Sequence, residues 1–182
     1  MAKALAEEEV NGWLSSFEAA LLQRDVEAAT QLFLPEECFW RDLLAFTWNI
    51  YTAESQQEIG DMLRSTLVDT DHIYPASSWK LQGEATEAEA EAEEAEAEAE
   101  TEAEAEAEEA EAVEDLAHPH GDGGGSRSII TIIQAFFTFE TRTAYGRGHI
   151  KLRGGKCWCL LTTMQELKGH GEAAGPRREL GA

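Results

Sequence analysis

The chain has no run of about 18 consecutive apolar residues, which excludes a membrane-spanning helix. Cysteine is scarce. Its three copies, Cys38, Cys157 and Cys159, are odd in number, which argues against a disulfide framework and for a reducing compartment. Positive charge is also scarce, with 14 Lys and Arg against 36 Asp and Glu and a formal net charge of −22. Nucleic acid and anionic membranes need clustered cations, so both are disfavoured as partners. The N-terminus turns acidic at Glu7-Glu8-Glu9 before any apolar segment develops, so it lacks the pattern of a secretory signal. The expected location is the cytoplasm.

The negative charge is concentrated. Seventeen of the 36 acidic residues fall between Glu84 and Asp115 with no basic one among them, which leaves 19 acidic against 14 basic elsewhere, a net of −5. The acidity therefore belongs to an insert. With 182 residues, the chain suits one domain of about 100–150 residues plus an additional segment.

The first third predicts helices. Trp13, Phe17 and Leu21 recur at four-residue spacing beside Leu14 and Ala20, which makes one apolar stripe over about residues 8–23. Asp25 caps a second short helix over 26–33, with Pro35 as its stop. Ser55-Gln56-Gln57-Glu58 is a capping box that opens a third, with Ile59, Leu63, Thr66 and Leu67 on one face. Between the second and third helices, 38–42 predicts a short strand and 43–51 an apolar crossing.

The last third predicts strands. Residues 126–143 are β-branched and aromatic, with Ala135, Phe137, Phe139 and Thr141 on one face by alternation. Ala144-Tyr145-Gly146 is read as a turn into a strand over 147–153. Gly154-Gly155 is a two-residue hairpin signal, because both positions need positive φ, and 157–167 returns as a further strand. Residues 77–82 supply another strand before the insert. The expected fold is α+β: N-terminal helices packed on a curved antiparallel sheet, interrupted by the Glu-Ala segment. Glu at nearly every second position places like charges at i,i+4 with no apolar face to offset them, so the insert reads as a solvated tether. The expected organisation is 1–83 as the helical half, 84–125 as the insert, 126–172 as the strand half and 173–182 as a linker.

Several blocks in order resemble a known family. They are Trp13-Leu-x-x-Phe17-Glu-Ala-Ala-Leu21, Arg24-Asp25-Val26, Phe39-Trp40-Arg41-Asp42-Leu43-Leu44-Ala45-Phe46-Thr47-Trp48, Gln134 to Thr141, Gly146-Arg-Gly-His-Ile150, Leu160-Leu-Thr-Thr163 and Glu166-Leu-Lys-Gly-His170. The series resembles the N-terminal domain of bacterial and fungal flavin-containing monooxygenases, which is similar to the nuclear transport factor two-like, or SnoaL-like, cone. The resemblance implies a cone-shaped fold and, for a full-length relative, FAD, NADPH and molecular oxygen. The expectation for this chain is that no cofactor binds, because a dinucleotide site needs Gly-x-Gly-x-x-Gly at a strand-to-helix turn. Gly121-Asp-Gly123-Gly-Gly-Ser126 and Gly146-Arg-Gly148-His-Ile-Lys151 both lack the third glycine and the following helix. The segment from Gly175-Pro176 stands where the family's linker toward the flavin domain would begin, so the chain reads as the front part of such a protein.

The alternative is a free-standing cone-fold binder, isomerase or cyclase for a small hydrophobic metabolite. Proton transfer in such a cone needs a carboxylate or imidazole in an apolar pocket. Asp42 is the carboxylate candidate and His149 the imidazole, with Tyr51 and Glu140 as lesser options. Against this, Asp42 can pair with neighbouring Arg41 or with a sheet arginine, and His149 can be a half-exposed strand residue. Trp40, Trp48, Phe137, Phe139 and Trp158, with Trp79, would line a ligand pocket or simply fill a core. Cys157-Trp158-Cys159 with His118-Pro119-His120 does not have the usual spacing of a zinc site, so no metal is expected. The candidate partners are a second copy of the chain through the sheet and a small apolar ligand.

Overall fold

The computed structural model describes residues 2–68, 73–92 and 128–170. The rest of the Glu-Ala run, His118-Pro119-His120, the glycines of 121–125 and the 173–182 linker lie outside the described residues. By backbone proximity the chain divides into two units, Met1–Glu89 with Thr131–Ala182, and Ala90–Ile130. The buried core lies entirely in the first.

Helix α1 spans Ala2–Gln23 and starts earlier than the aromatic stripe alone predicts. Ala6 and Val10 extend that stripe one turn and more toward the N-terminus, and both are buried with Trp13, Leu14, Phe17 and Leu21. Helix α2, Val26–Thr30, is capped by the Asp25 carboxylate, which accepts from the Ala28 N–H at 2.9 Å. It ends before Phe33, whose backbone forms a parallel bridge to Cys157. Helix α3, Gln56–Leu63, begins at Ser55, whose hydroxyl accepts from the Glu58 N–H. Glu58 reaches back to the Glu54 N–H at 2.9 Å, one residue earlier than the cap itself. A π-helical turn, Arg64–Val68, continues α3.

Six strands form one curved mixed sheet in the order β2-β1-β6-β5-β4-β3. They are β1 Phe39–Leu43, β2 Ile50–Ala53, β3 Ser77–Ala92, β4 Ser128–Glu140, β5 Ala144–Arg153 and β6 Lys156–Leu167. Three features correct the sequence expectation. The sheet is not wholly antiparallel, because β1 lies parallel to β6 with Asp42 opposite Thr162. Strand β2, which was not expected, takes the last two residues of the 43–51 crossing and the two after it, and pairs antiparallel with β1. Strand β3 continues past Gln82 into the Glu-Ala run as far as Ala92.

The turn before β5 is also displaced. It lies at 141–143, where the Thr141 N–H donates to the Ala144 carbonyl and the Thr141 hydroxyl accepts from the Ala144 N–H. Ala144, Tyr145 and Gly146 already belong to the strand. The hairpin at Gly154-Gly155 forms as its residues dictate, with φ of +57° and +77°. Alternation on β4 is as read: Ala135, Phe137, Phe139 and Thr141 are buried, while Phe136 is exposed. The helices cover this inner face, with the Phe17 ring of α1 against Trp40 of β1 at 5.6 Å and Trp79 of β3 at 5.1 Å.

Candidate functional site

Asp42 is fully buried on the inner face of β1. Its Oδ2 accepts from the Phe46 and Thr47 N–H groups and from the Thr47 hydroxyl, each at 2.9 Å. Its Oδ1 accepts from the Thr162 hydroxyl at 2.7 Å, and that oxygen in turn accepts from the Trp40 indole at 2.9 Å. The parallel register explains the meeting, since it sets Asp42 and Thr162 side by side across 120 residues of chain. The carboxylate thus anchors the β1–β2 loop and ties β1 to β6. Both oxygens are engaged by the protein itself, and among the described residues no arginine takes part.

The aromatic residues sort into two sets. Trp40, Phe137 and Phe139 lie together in the interior with Phe17, Phe33, Phe46 and Trp79. Trp79 stacks on Phe139 at 4.6 Å and on Phe137 at 5.2 Å, and Phe46 joins Trp40 to Phe139. These rings pack against one another between the helices and the sheet. Trp48 does not join them: it is 43% exposed in the β1–β2 loop, at φ +57°. Trp158 is half-buried at a β-bulge of β6, with the Lys151 ammonium 5.8 Å from its ring. Among the described residues, the buried indole N–H groups of Trp79 and Trp158 have no hydrogen-bond partner.

His149 lies on the other face of the sheet from Asp42. Alternation along β5 buries Gly148 and Ile150 and leaves His149 half-buried beside the exposed Phe136 ring, at 4.7 Å. Partial burial, and then the Lys151 ammonium on the same face, hold its pKa below the ordinary histidine value. The sheet therefore separates the two residues proposed as an acid–base pair. Glu140 is ion-paired with Lys168 at 2.9 Å.

Two of the glycines read against a dinucleotide loop have a structural use. Gly146 and Gly148 lie within β5, and the rings of Phe139 and Phe137 cover them directly. A Cβ on Gly146 would penetrate the Phe139 ring, and one on Gly148 would strike both the Phe137 ring and the Leu161 carbonyl oxygen. The glycines make room for aromatics rather than for a pyrophosphate. This segment does not fit FAD or NADPH.

The three cysteines differ in burial and in the ease of ionising their thiols. The bulge pairs Cys157 with Leu152 and Cys159 with Lys151, so Cys157 is buried and Cys159 only partly so. Burial, with Cys159 nearby, pushes the Cys38 thiol up to about 11, and burial pushes Cys157 well above the ordinary thiol value. Among the described residues no group of His, Cys, Asp and Glu is placed to hold a metal ion.

A cavity of about 350 Å³ opens beside the Asp42-anchored loop, lined by Thr47, Tyr51, Asp61, Met62, Ser65 and Thr66. As a candidate functional residue, sequence reasoning named only Tyr51 among these. The rest come together because the π-helical turn follows α3 directly and the β1–β2 loop lies beside it. A π-helical turn has no dependable signature in sequence, although such turns are frequent at functional sites. No helix among the described residues is long and apolar enough to cross a membrane. In comparison with known proteins, no family model matches the chain and no curated protein matches it significantly.

Proposed function

We propose that this chain is a non-catalytic accessory module of cone type, of the kind that precedes the flavin-binding segments in flavin-dependent monooxygenases. The observation that carries the non-catalytic reading is the filled interior. Aromatic rings pack the interior between helices and sheet, and the protein's own donors engage both oxygens of Asp42. The link to flavin enzymes rests on the ordered sequence blocks from Trp13 to His170. In a complete protein of this kind, FAD and NADPH would be held by other segments, and this module would act by packing or by pairing with a second copy through the sheet. The buried, raised thiols suit a cytoplasmic setting.

The test has two arms. FAD and NADPH leave the thermal midpoint of the chain unchanged, whereas a rise with concentration would overturn the reading, since any native-state ligand stabilises by mass action. Immunodetection in cell extract with an antibody to 1–82, followed by intact mass, finds a species much larger than 20.0 kDa. A species at that mass alone would count against the accessory role.

One observation favours the second reading, a binder of small apolar metabolites: the cavity of about 350 Å³ at Tyr51 and Met62. Under that reading small apolar compounds raise the thermal midpoint, and Met62→Trp, which fills the cavity, removes the rise.

A further inference from the structure

The outer face of the sheet, away from the aromatic interior, carries a basic strip on β5. Alternation along β5 sets Arg147, His149, Lys151 and Arg153 on it. A cleft of about 360 Å³ is cut into this face by four strands. Ser78, Lys80 and Gln82 come from β3 at alternate positions, Thr138 and Glu140 from β4, Tyr145 and Arg147 from β5, and Gln165 from β6.

The register accounts for the cleft. Thr138 lies opposite Arg147 and Glu140 opposite Tyr145, so β4 and β5 bring one cation, one hydroxyl and one ring together. The β-bulge between Tyr145 and Gly146 leaves Gln165 as the extra residue of β6 and directs it to the same place. Ser78 stands at the β3 margin with φ of +60°, a conformation that costs energy in a non-glycine residue. Its N–H is held by the Glu18 carboxylate at 2.7 Å.

The charge balance of the cleft is positive. Glu140, its one acidic lining residue, is neutralised by Lys168, whose ammonium also lies 5.0 Å from the Tyr145 ring. Lys80 and Arg147 make no ion pair among the described residues; the Arg147 guanidinium only overhangs the Phe136 ring at 5.8 Å. Two cations without an ion pair among the described residues thus face a cavity that also offers hydroxyl and amide donors and part of an aromatic ring. A cleft of about 360 Å³ with these groups suits a small anion.

We propose that this cleft binds a small organic oxyanion, a phosphate monoester or a carboxylate carrying a flat apolar group, with Lys80 and Arg147 holding the acid group and Tyr145 the apolar part. The cleft lies on the outer face, away from the aromatic interior on which the non-catalytic reading rests, and a second copy paired over this face would compete with the ligand.

The experiment is a titration of the full chain with phenyl phosphate and, separately, with benzoate at fixed ionic strength, followed by amide chemical shifts. Saturable shifts at Thr138, Gly146 and Arg147 are expected. Lys80→Met and Arg147→Met each weaken binding about tenfold, while Arg153→Met, roughly 20 Å along β5, leaves it unchanged. Tighter binding of phenyl phosphate identifies the phosphate class, and tighter binding of benzoate the carboxylate class. No saturable shift up to about 10 mM, or equal weakening by Arg153→Met, would overturn the proposal. Both cleft cations are exposed, and a well-dispersed spectrum confirms that each variant is folded. Should one fail to fold, the other decides alone.

Discussion

At the scale of the residue, burial and partner count decide what Asp42 does. A buried carboxylate that accepts from four donors stabilises only while all of them are present, and removing an acceptor strands buried donors at about 1–3 kcal/mol each. Asp42→Asn puts an NH₂ where a carboxylate oxygen accepts, and should cost about 3 kcal/mol by urea unfolding. Thr162→Val should be coupled to it in a double-mutant cycle, since both changes break one chain from Trp40 to the loop. This is a larger effect than a surface carboxylate paired with Arg41 would show. His149 illustrates the opposite face. Its pKa is lowered in the folded state, so the unfolded chain binds more protons below the ordinary value of 6.5. Its contribution to stability is present above that value and lost as pH falls through the lowered one. Melting followed from about pH 7.5 to 5 should therefore fall less steeply in His149→Gln than in the parent.

At the scale of the element, the aromatic strand β4 and the glycine-bearing strand β5 are a matched pair. Phe139 lies over Gly146 and Phe137 over Gly148, so each ring uses the absent side chain of its cross-strand neighbour. Gly148→Ala should destabilise by about 3 kcal/mol, because its methyl group meets the Leu161 backbone oxygen as well as a ring. At Gly146 the three atoms nearest an added Cβ all belong to the Phe139 ring. In double-mutant cycles Phe139→Leu should therefore relieve Gly146→Ala more than Phe137→Leu relieves Gly148→Ala. The alternation of β4 was legible because Phe137 and Phe139 repeat every second residue. The role of the two glycines was not, since a glycine within a strand also reads as a turn, and only the pairing register shows which ring covers it.

At the scale of the whole molecule, the parallel pairing of β1 with β6 brings the cysteines into one neighbourhood: Phe39, next to Cys38, lies opposite Cys159, and Cys157 bridges to Phe33. Burial raises all three thiols, so at pH 8 the native protein should react sluggishly with a thiol reagent, with Cys157 slowest, while the unfolded chain releases all three together. Local patterns alone determined the caps at Asp25 and Ser55, the stripe of α1, the faces of β4 and the Gly154-Gly155 hairpin. Each depends on residues within a few positions of one another, where period and backbone preference act directly. Tertiary structure decided the parallel register, the extra strand β2, the separation of Asp42 from His149 across the sheet, and the gathering of Lys80, Arg147 and Gln165 around one cleft. Those outcomes join residues far apart in the chain, and a sequence period carries no record of which strand will lie beside which.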